Sequence, residues 1–405
     1  MAITPATLPK PRPRPKPGPG PEPKPKSKPP PKPAQNVLVL QGGGALGAYQ
    51  GGVFEVLTEH GLQPDWVVGT SIGAINSAII AGNPPERRLE RLREFWHLVG
   101  RDDPLAAFAS NPFTAWLAPW LNASEVWTTI TRGIPGFFEP RSGGAADLAR
   151  QVPTCAASFY DTSPLRATLE KLVDFDYLNA HHVRCTVCAV AVASGELVAF
   201  DSRTRRLAPE HIMASGALPP GFPPVMIDGK AYWDGGIYSN TPVDIVMDDA
   251  ERRDTLCFMV DLWDPTEAEP QSIGAAMARL KDIQYASRTR EHLEDHRAMQ
   301  NMRRAIEILS ARLPAKDRDD PALKKLSGLG CTSTVNIVRL VMKALPTDDY
   351  TKDIDFSRVS LAQRWQAGLD DAQRALRHKR WLAPLSLPVG MVIHELDQEE
   401  GRTAA

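Results

Sequence analysis

The chain has 405 residues, 42% of them hydrophobic and 23% charged, with a formal net charge of −1. That balance is ordinary for a soluble globular protein able to bury a core. The near-zero charge removes any general electrostatic case for nucleic acid as a partner.

Charge is nevertheless unevenly spread. Residues 1–34 hold eight Lys/Arg against one Glu, a local +7, so the remainder carries −8. The same segment contains fourteen of the 37 prolines, in runs such as Pro11-Arg12-Pro13-Arg14-Pro15-Lys16-Pro17. Neither helix nor sheet propagates through such a run, so a solvated polyproline-II tail is expected, reaching about 90 Å for thirty residues. Two roles stay open for it: a basic tether, making peripheral contact with anionic membrane or binding polyanions or proline-binding modules, and a solubilising spacer. Cys155, Cys185, Cys188, Cys257 and Cys331 are odd in number and scattered, which fits reduced thiols in a cytoplasmic protein better than a disulfide framework. An apolar signal-peptide core and any run of roughly 18–20 apolar residues are both missing, so a soluble, intracellular protein is expected.

Ordered structure is predicted to start at Asn36-Val37-Leu38-Val39-Leu40, an apolar β-type run followed at once by Gln41-Gly42-Gly43-Gly44. From Ala45 to His60, Leu46, Tyr49, Val53, Val56 and Leu57 recur at helical spacing, and Gly61 closes the helix. A short strand at Asp65-Trp66-Val67-Val68, a turn at Gly69-Thr70-Ser71-Ile72-Gly73 and a small-residue helix from Ala74 come next. This alternation predicts a mostly parallel sheet with helices on both faces, a three-layer α/β fold. Residues 100–160 break the rhythm with Trp116, Trp120, Trp127, Phe137 and Phe138, and read either as a lid over an apolar pocket or as a packing insertion. Regular structure resumes with a helix from Ser163 through Leu172, a strand holding Cys185 and Cys188, a hairpin around Ser194-Gly195 and a helix before Ala217. The Cys185/Cys188 pair sits in the apolar run Val183 to Val190 without a second cysteine pair, so small buried side chains are expected rather than a redox or zinc site. From Ser272 to Leu313, Ile273, Met277, Leu280, Ile283, Met299, Met302, Ile306 and Leu309 mark a long helical stretch. A β-prone run, Val335 to Val341, and a helix near Leu361–Leu376 complete it. Residues 266–405 are therefore expected to be a mainly helical region appended to a domain of residues 35–265, covering a sheet edge or mediating association.

Three short patterns carry chemistry. Gly69-Thr70-Ser71-Ile72-Gly73 matches G-x-S-x-G, a strand-to-helix turn that projects a serine hydroxyl while flanking glycines avoid clashes. The helix that follows points its unpaired N–H groups and positive dipole end at that hydroxyl. Gly42-Gly43-Gly44 also lies between strand and helix, where backbone N–H groups can meet a developing oxyanion. The competing reading of Gly42-x-Gly44-x-x-Gly47 is a dinucleotide fingerprint, but the acidic residue that should end a second strand about 20 residues on is missing. A serine nucleophile needs a base, and none of the histidines after Ser71 sits in an obvious strand-end loop. Tyr232-Trp233-Asp234-Gly235-Gly236 instead holds an aspartate at a Gly-Gly turn, which taken alone reads as a residue capping its own backbone. His292-Leu293-Glu294-Asp295-His296 spaces two imidazoles four apart, yet lacks the glutamate placement of a zinc helix and reads as a charged, solvated face, so no metal is expected.

Together these blocks resemble bacterial patatin-like phospholipases. The matching pieces, in the family's order, are Gly42-Gly43-Gly44-Ala45-Leu46-Gly47, Gly69-Thr70-Ser71-Ile72-Gly73 and Asp234-Gly235-Gly236. The stretch Ala214-Ser215-Gly216-Ala217-Leu218-Pro219-Pro220-Gly221-Phe222-Pro223-Pro224-Val225 resembles the segment that precedes the aspartate, and the likeness covers residues 36–262. It implies a Ser71–Asp234 dyad without histidine, an oxyanion held by the glycine loop, support from Gly47, Gly69, Gly73, Gly235 and Gly236, a lipid or other acyl-ester substrate and no cofactor. The chain departs from the family at Leu46, where an arginine or lysine is frequent. An ordinary aspartate, with a pKa of about 3.9, is a weak base, so desolvation has to raise that of Asp234. Other expectations for the same fold are a carboxylesterase, thioesterase or acyl transferase acting on something other than phospholipid, and a non-catalytic lipid-binding protein.

Overall fold

The computed structural model describes residues 35–102, 129, 131–141, 151–286, 289–346, 348–378, 381, 385 and 389–395. The Pro/Lys-rich segment 1–34 and Trp116, Trp120 and Trp127 lie outside them.

The strands are β1 (Gln35–Leu40), β2 (Trp66–Thr70), β3 (Glu139–Pro140), β4 (Tyr160–Asp161), β5 (Arg184–Ala191), β6 (Leu197–Asp201), β7 (Val225–Ile227), β8 (Lys230–Asp234), β9 (Thr255–Asp261), β10 (Val335–Val341) and β11 (Met391–Glu395). The helices are α1 (Ala48–Glu59), α2 (Ile72–Ala81), α3 (Pro85–Val99), α4 (Ser163–Leu172), α5 (Phe175–Asn179), α6 (Pro209–Ser215), α7 (Val243–Met247), α8 (Ile273–Tyr285), α9 (Thr289–Ala311), α10 (Pro321–Ser327) and α11 (Arg358–His378). The main sheet runs β11-β10-β9-β1-β2-β5-β8-β7, with β6 also paired to β5, and β3 pairs with β4 apart from it. From β11 to β5 every pairing is parallel; β6, β8 and β7 are antiparallel.

Why β1 is a central strand follows from its composition. Parallel strands covered on both faces read as unbroken apolar runs, and Val37, Leu38, Val39 and Leu40 are all buried. Side chains alternate across a strand. Leu38 and Leu40 join the core beneath α1, α2 and α3, whereas Val37 and Val39 join a second core with Val243 of α7 and Leu293 of α9. The result is the expected three layers. Chain order also reverses at β1, because β2 and β5 lie to one side and β9, β10 and β11 to the other. In open α/β sheets a ligand crevice forms beyond the carboxyl ends of the strands at such a point.

Beyond residue 265 the chain is largely helical, and it also adds β10 and β11 to the sheet edge in parallel register. The Val335–Val341 run is a strand as its composition indicates. Instead of one long helix, Ser272 to Leu313 forms α8 and α9. At the start of α9, Thr289 Oγ1 donates to the Ala286 carbonyl at 2.8 Å and contacts Thr241 Oγ1 at 3.2 Å. Helix α11 crosses α1 so closely that a Cβ on Gly52 would lie 2.0 Å from the Trp365 carbonyl oxygen. The crossing is locked by the Tyr49 hydroxyl, which donates to Asp371 Oδ2 at 2.8 Å. Among the described residues no helix is long and apolar enough to cross a membrane.

Candidate active site

Ser71 is the single residue between the end of β2 at Thr70 and the start of α2 at Ile72. Its backbone sits at φ 56°, ψ −124°, a conformation that costs an L-residue about 1–3 kcal/mol unless its surroundings impose it. Here they do. The Ser71 N–H donates to Ser215 O at 3.0 Å and Ser215 Oγ at 3.1 Å, while Ser215 Oγ donates to Cys188 O at 2.6 Å. The flanking glycines leave no room for side chains: a Cβ on Gly69 would be 2.3 Å from Gly73 O, and one on Gly73 would be 2.2 Å from Leu40 O. The elbow is thus pressed against the end of β1, with the N-terminus of α2 directly behind the serine.

Asp234 ends β8 and is 2% exposed. Its N–H donates to Ala217 O at 3.0 Å, and its Oδ1 accepts the Gly236 N–H at 2.7 Å. Ser71 and this carboxylate border the same cavity. Burial pushes the Asp234 pKa up to about 7, against the downward pull of the Gly236 N–H and the Ser71 hydroxyl. That is the rise in basicity a serine-activating aspartate requires. Gly235 packs flat on β5, where a Cβ would lie 2.4 Å from Cys188 O.

The three loop glycines are not equivalent. The Gly42 N–H donates to Asn240 O at 3.2 Å, and the Gly42 carbonyl accepts from Asn240 Nδ2 at 3.0 Å and Trp263 Nε1 at 2.8 Å. In a trans peptide the C=O and the next N–H point in opposite directions, so these two bonds turn the Gly43 N–H away from Asn240 and Trp263. Among the described residues the N–H groups of Gly43 and Gly44 have no hydrogen-bond partner, and both residues border the same cavity as Ser71 and Asp234. Gly47 lies beneath the elbow, where a Cβ would be 2.6 Å from Ile72 Cγ1. Leu46 is buried in the core, so its position contributes packing and no charge.

The cavity is about 310 Å³, within the range of small-molecule sites. Its apolar wall is aromatic: Phe138 and Phe222 have ring centroids 5.0 Å apart, Phe138 and Tyr160 4.8 Å, and Phe137 and Phe356 6.0 Å. Phe137 and Phe138 come from the aromatic insertion and Leu218 to Phe222 from the stretch before the aspartate. Sequence reasoning missed Asn240, Trp263, Tyr285, Asp353, Ile354 and Phe356, all of which border the cavity. Asn240 lay within reach, six residues after Asp234 in the same turn. The last three come from far downstream, with no local signal to place them here.

Other patterns resolve differently. Cys185 and Cys188 are buried in β5 and unbonded, with burial pushing the Cys188 thiol up to about 12. The His292/His296 pair is not a bare solvated face: His292 Nδ1 lies 3.1 Å from Asp244 Oδ2 and His296 Nε2 2.8 Å from Asp244 Oδ1, clasping α9 to α7.

Comparison with known proteins gives two family matches. The model of the patatin-like phospholipases matches residues 38–247, and a second, described as patatin phospholipase, matches residues 283–386. Among solved structures, VipD from Legionella pneumophila is similar at 16% identity over 91% of this chain and 73% of that one, with a TM-score of 0.37. A chain of the complex of full-length SpcU with full-length ExoU, from the type III secretion system of Pseudomonas aeruginosa, is similar at 18% identity over 88% of this chain and 76% of that one, with a TM-score of 0.27. No curated protein matches the chain.

Proposed function

The chain belongs to the patatin-like phospholipase family of lipid hydrolases, and on that premise we propose that it cleaves lipid ester bonds by two-step acyl transfer through a Ser71–Asp234 dyad. The observation that carries the reading is the buried Asp234 carboxylate, its pKa pushed up to about 7, bordering one cavity with the strained Ser71.

In the first step Ser71 Oγ bonds to the ester carbonyl carbon as its proton passes to Asp234. The carbonyl oxygen takes the negative charge and meets the N–H groups of Gly43 and Gly44, with Gly42 acting through its anchored carbonyl. When the tetrahedral species collapses, the alcohol leaves with the proton held by Asp234, and the acyl group stays on Ser71. Water then gives a proton to Asp234, attacks the acyl carbon and releases the carboxylic acid, and Ser71 recovers its proton. The aromatic wall of Phe137, Phe138 and Phe222 suits an acyl chain, because nothing on it competes with water for hydrogen bonds.

The test is hydrolysis of a chain-length series of p-nitrophenyl acyl esters, and of phospholipid in micelles, by wild type, Ser71→Ala and Asp234→Asn. A lipid-directed dyad gives turnover that rises with chain length and is lost in both variants. Turnover confined to short soluble esters, or persisting in Ser71→Ala, contradicts it.

A further inference from the structure

Helix α8 presents its polar side to the protein and its apolar side to solvent. On the inner side Lys281 Nζ lies 2.7 Å from Asp353 Oδ1, buried Asp282 receives Lys352 Nζ at 2.6 Å, and Arg279 donates to the Pro265 carbonyl. On the outer side Ile273 is 84% exposed, Leu280 65%, Ile283 57% and Met277 49%. These four recur every three or four residues and so form one stripe, which in a globular protein normally faces the core. Here polar bonds hold the helix in place and the stripe is left open.

The position of the helix gives the stripe a use. Tyr285, its last residue, borders the cavity, and its carbonyl accepts from Asn240 Nδ2 at 2.9 Å. The segment to which Lys281 and Asp282 bind supplies Asp353, Ile354 and Phe356 to the cavity wall. In the turn between Asp234 and Asn240, Ile237 and Tyr238 are exposed as well. Exposed apolar side chains therefore approach the cavity along two separate elements.

We propose that the outer face of α8 docks the protein on a lipid surface and brings the cavity to its substrate. The proposal rests on the lipid-hydrolase reading, since a long-chain ester is met at the lipid–water boundary rather than free in solution. Two observations favour lipid over a protein partner or a second copy. The stripe is continuous with the element that walls the substrate cavity. It also carries a single hydrogen-bonding side chain, Gln284, among Ile273, Ala276, Met277, Leu280 and Ile283, whereas protein interfaces carry roughly one hydrogen bond per 100–200 Å². Because Lys281 is already paired and Arg279 already donates inward, docking should need no anionic headgroup.

The experiment is flotation of the full-length chain with phosphatidylcholine vesicles at low and high salt, comparing wild type with the combined Ile273→Glu, Leu280→Glu and Ile283→Glu variant. These positions are exposed and glutamate favours helix, so the fold is retained; a milder Ile273→Ser, Leu280→Ser pair gives a graded second reading. The expected result is salt-insensitive binding by wild type, weakened roughly tenfold or more in the triple variant, with vesicle hydrolysis falling in step. Turnover of dissolved p-nitrophenyl butyrate should stay unchanged. Equal vesicle binding by wild type and variant, no binding by wild type, or a wild-type dimer that the variant converts to monomer would each overturn the proposal. Vesicle binding without any ester hydrolysis would sink the hydrolase reading and leave the docking face standing.

Discussion

On the wall of the cavity that carries Ser71, Asp234 and the glycine loop, position is set by hydrogen bonds to backbone. Ser215 holds the Ser71 N–H, Gly236 holds Asp234, and Asn240 and Trp263 hold the Gly42 carbonyl. On the wall built by Phe137, Phe138, Tyr160, Phe222 and Phe356, the contacts are ring against ring. Directional bonds fix atoms to within a fraction of an ångström, as a proton transfer demands. Ring packing fills volume and tolerates variation in what it encloses. The first wall should therefore control rate and the second the choice of substrate.

The largest test of that division is removal of the dyad. Ser71→Ala and Asp234→Asn should each lower kcat/KM roughly 10⁴-fold, with unfolding temperatures no lower than wild type; loss of activity through unfolding would break the comparison. A pH profile sharpens it. The carboxylate must be ionised to accept the proton, so kcat/KM should fall about tenfold per pH unit below the Asp234 pKa of about 7 and level off above it. Stability moves the opposite way. The folded-state pKa is raised above the unfolded value of about 3.9, so the cost of burying the charge is absent below about pH 3.9, grows as pH climbs from there to about 7, and stays constant beyond. Asp234→Asn should thus raise the unfolding temperature more at pH 8 than at pH 5, a difference that urea or thermal melts read directly.

Next in size are the groups that hold the Gly42–Gly43 peptide, proposed to meet the oxyanion. Trp263→Phe keeps the ring and loses the bond to the Gly42 carbonyl, and should lower kcat about tenfold with KM nearly constant. A rise in KM at constant kcat would move Trp263 to the substrate wall. Narrowest in scope is Phe138→Ala or Phe222→Ala, expected to weaken kcat/KM for long-chain esters by less than tenfold and leave acetate turnover alone. An equal loss on acetate would show that the aromatic wall supports the chemistry itself.

The two walls also differ in how far the sequence reveals them. The elbow, glycine loop and Asp234 turn are legible because each depends on local geometry that few residue types satisfy, so the pattern survives in a handful of consecutive letters. The rest of the cavity is assembled by tertiary contact. Nothing near Asp353, Ile354 or Phe356 announces that α8 and α11 carry them to a serine some 280 residues earlier. Periodicity marked Ile273, Met277, Leu280 and Ile283 as one helical stripe, but a period cannot say which face meets the core. Strand β11 escaped notice because Met391–Glu395 is short and half-polar, and becomes a strand only by pairing with β10.

The most direct measurement is reaction of wild type with a fluorophosphonate, followed by peptide mapping of the adduct. The account predicts one phosphonylated residue, Ser71, with labelling abolished in Ser71→Ala and slowed at least a hundredfold in Asp234→Asn. A folded protein that takes up no label, or takes it at another serine, would contradict the dyad.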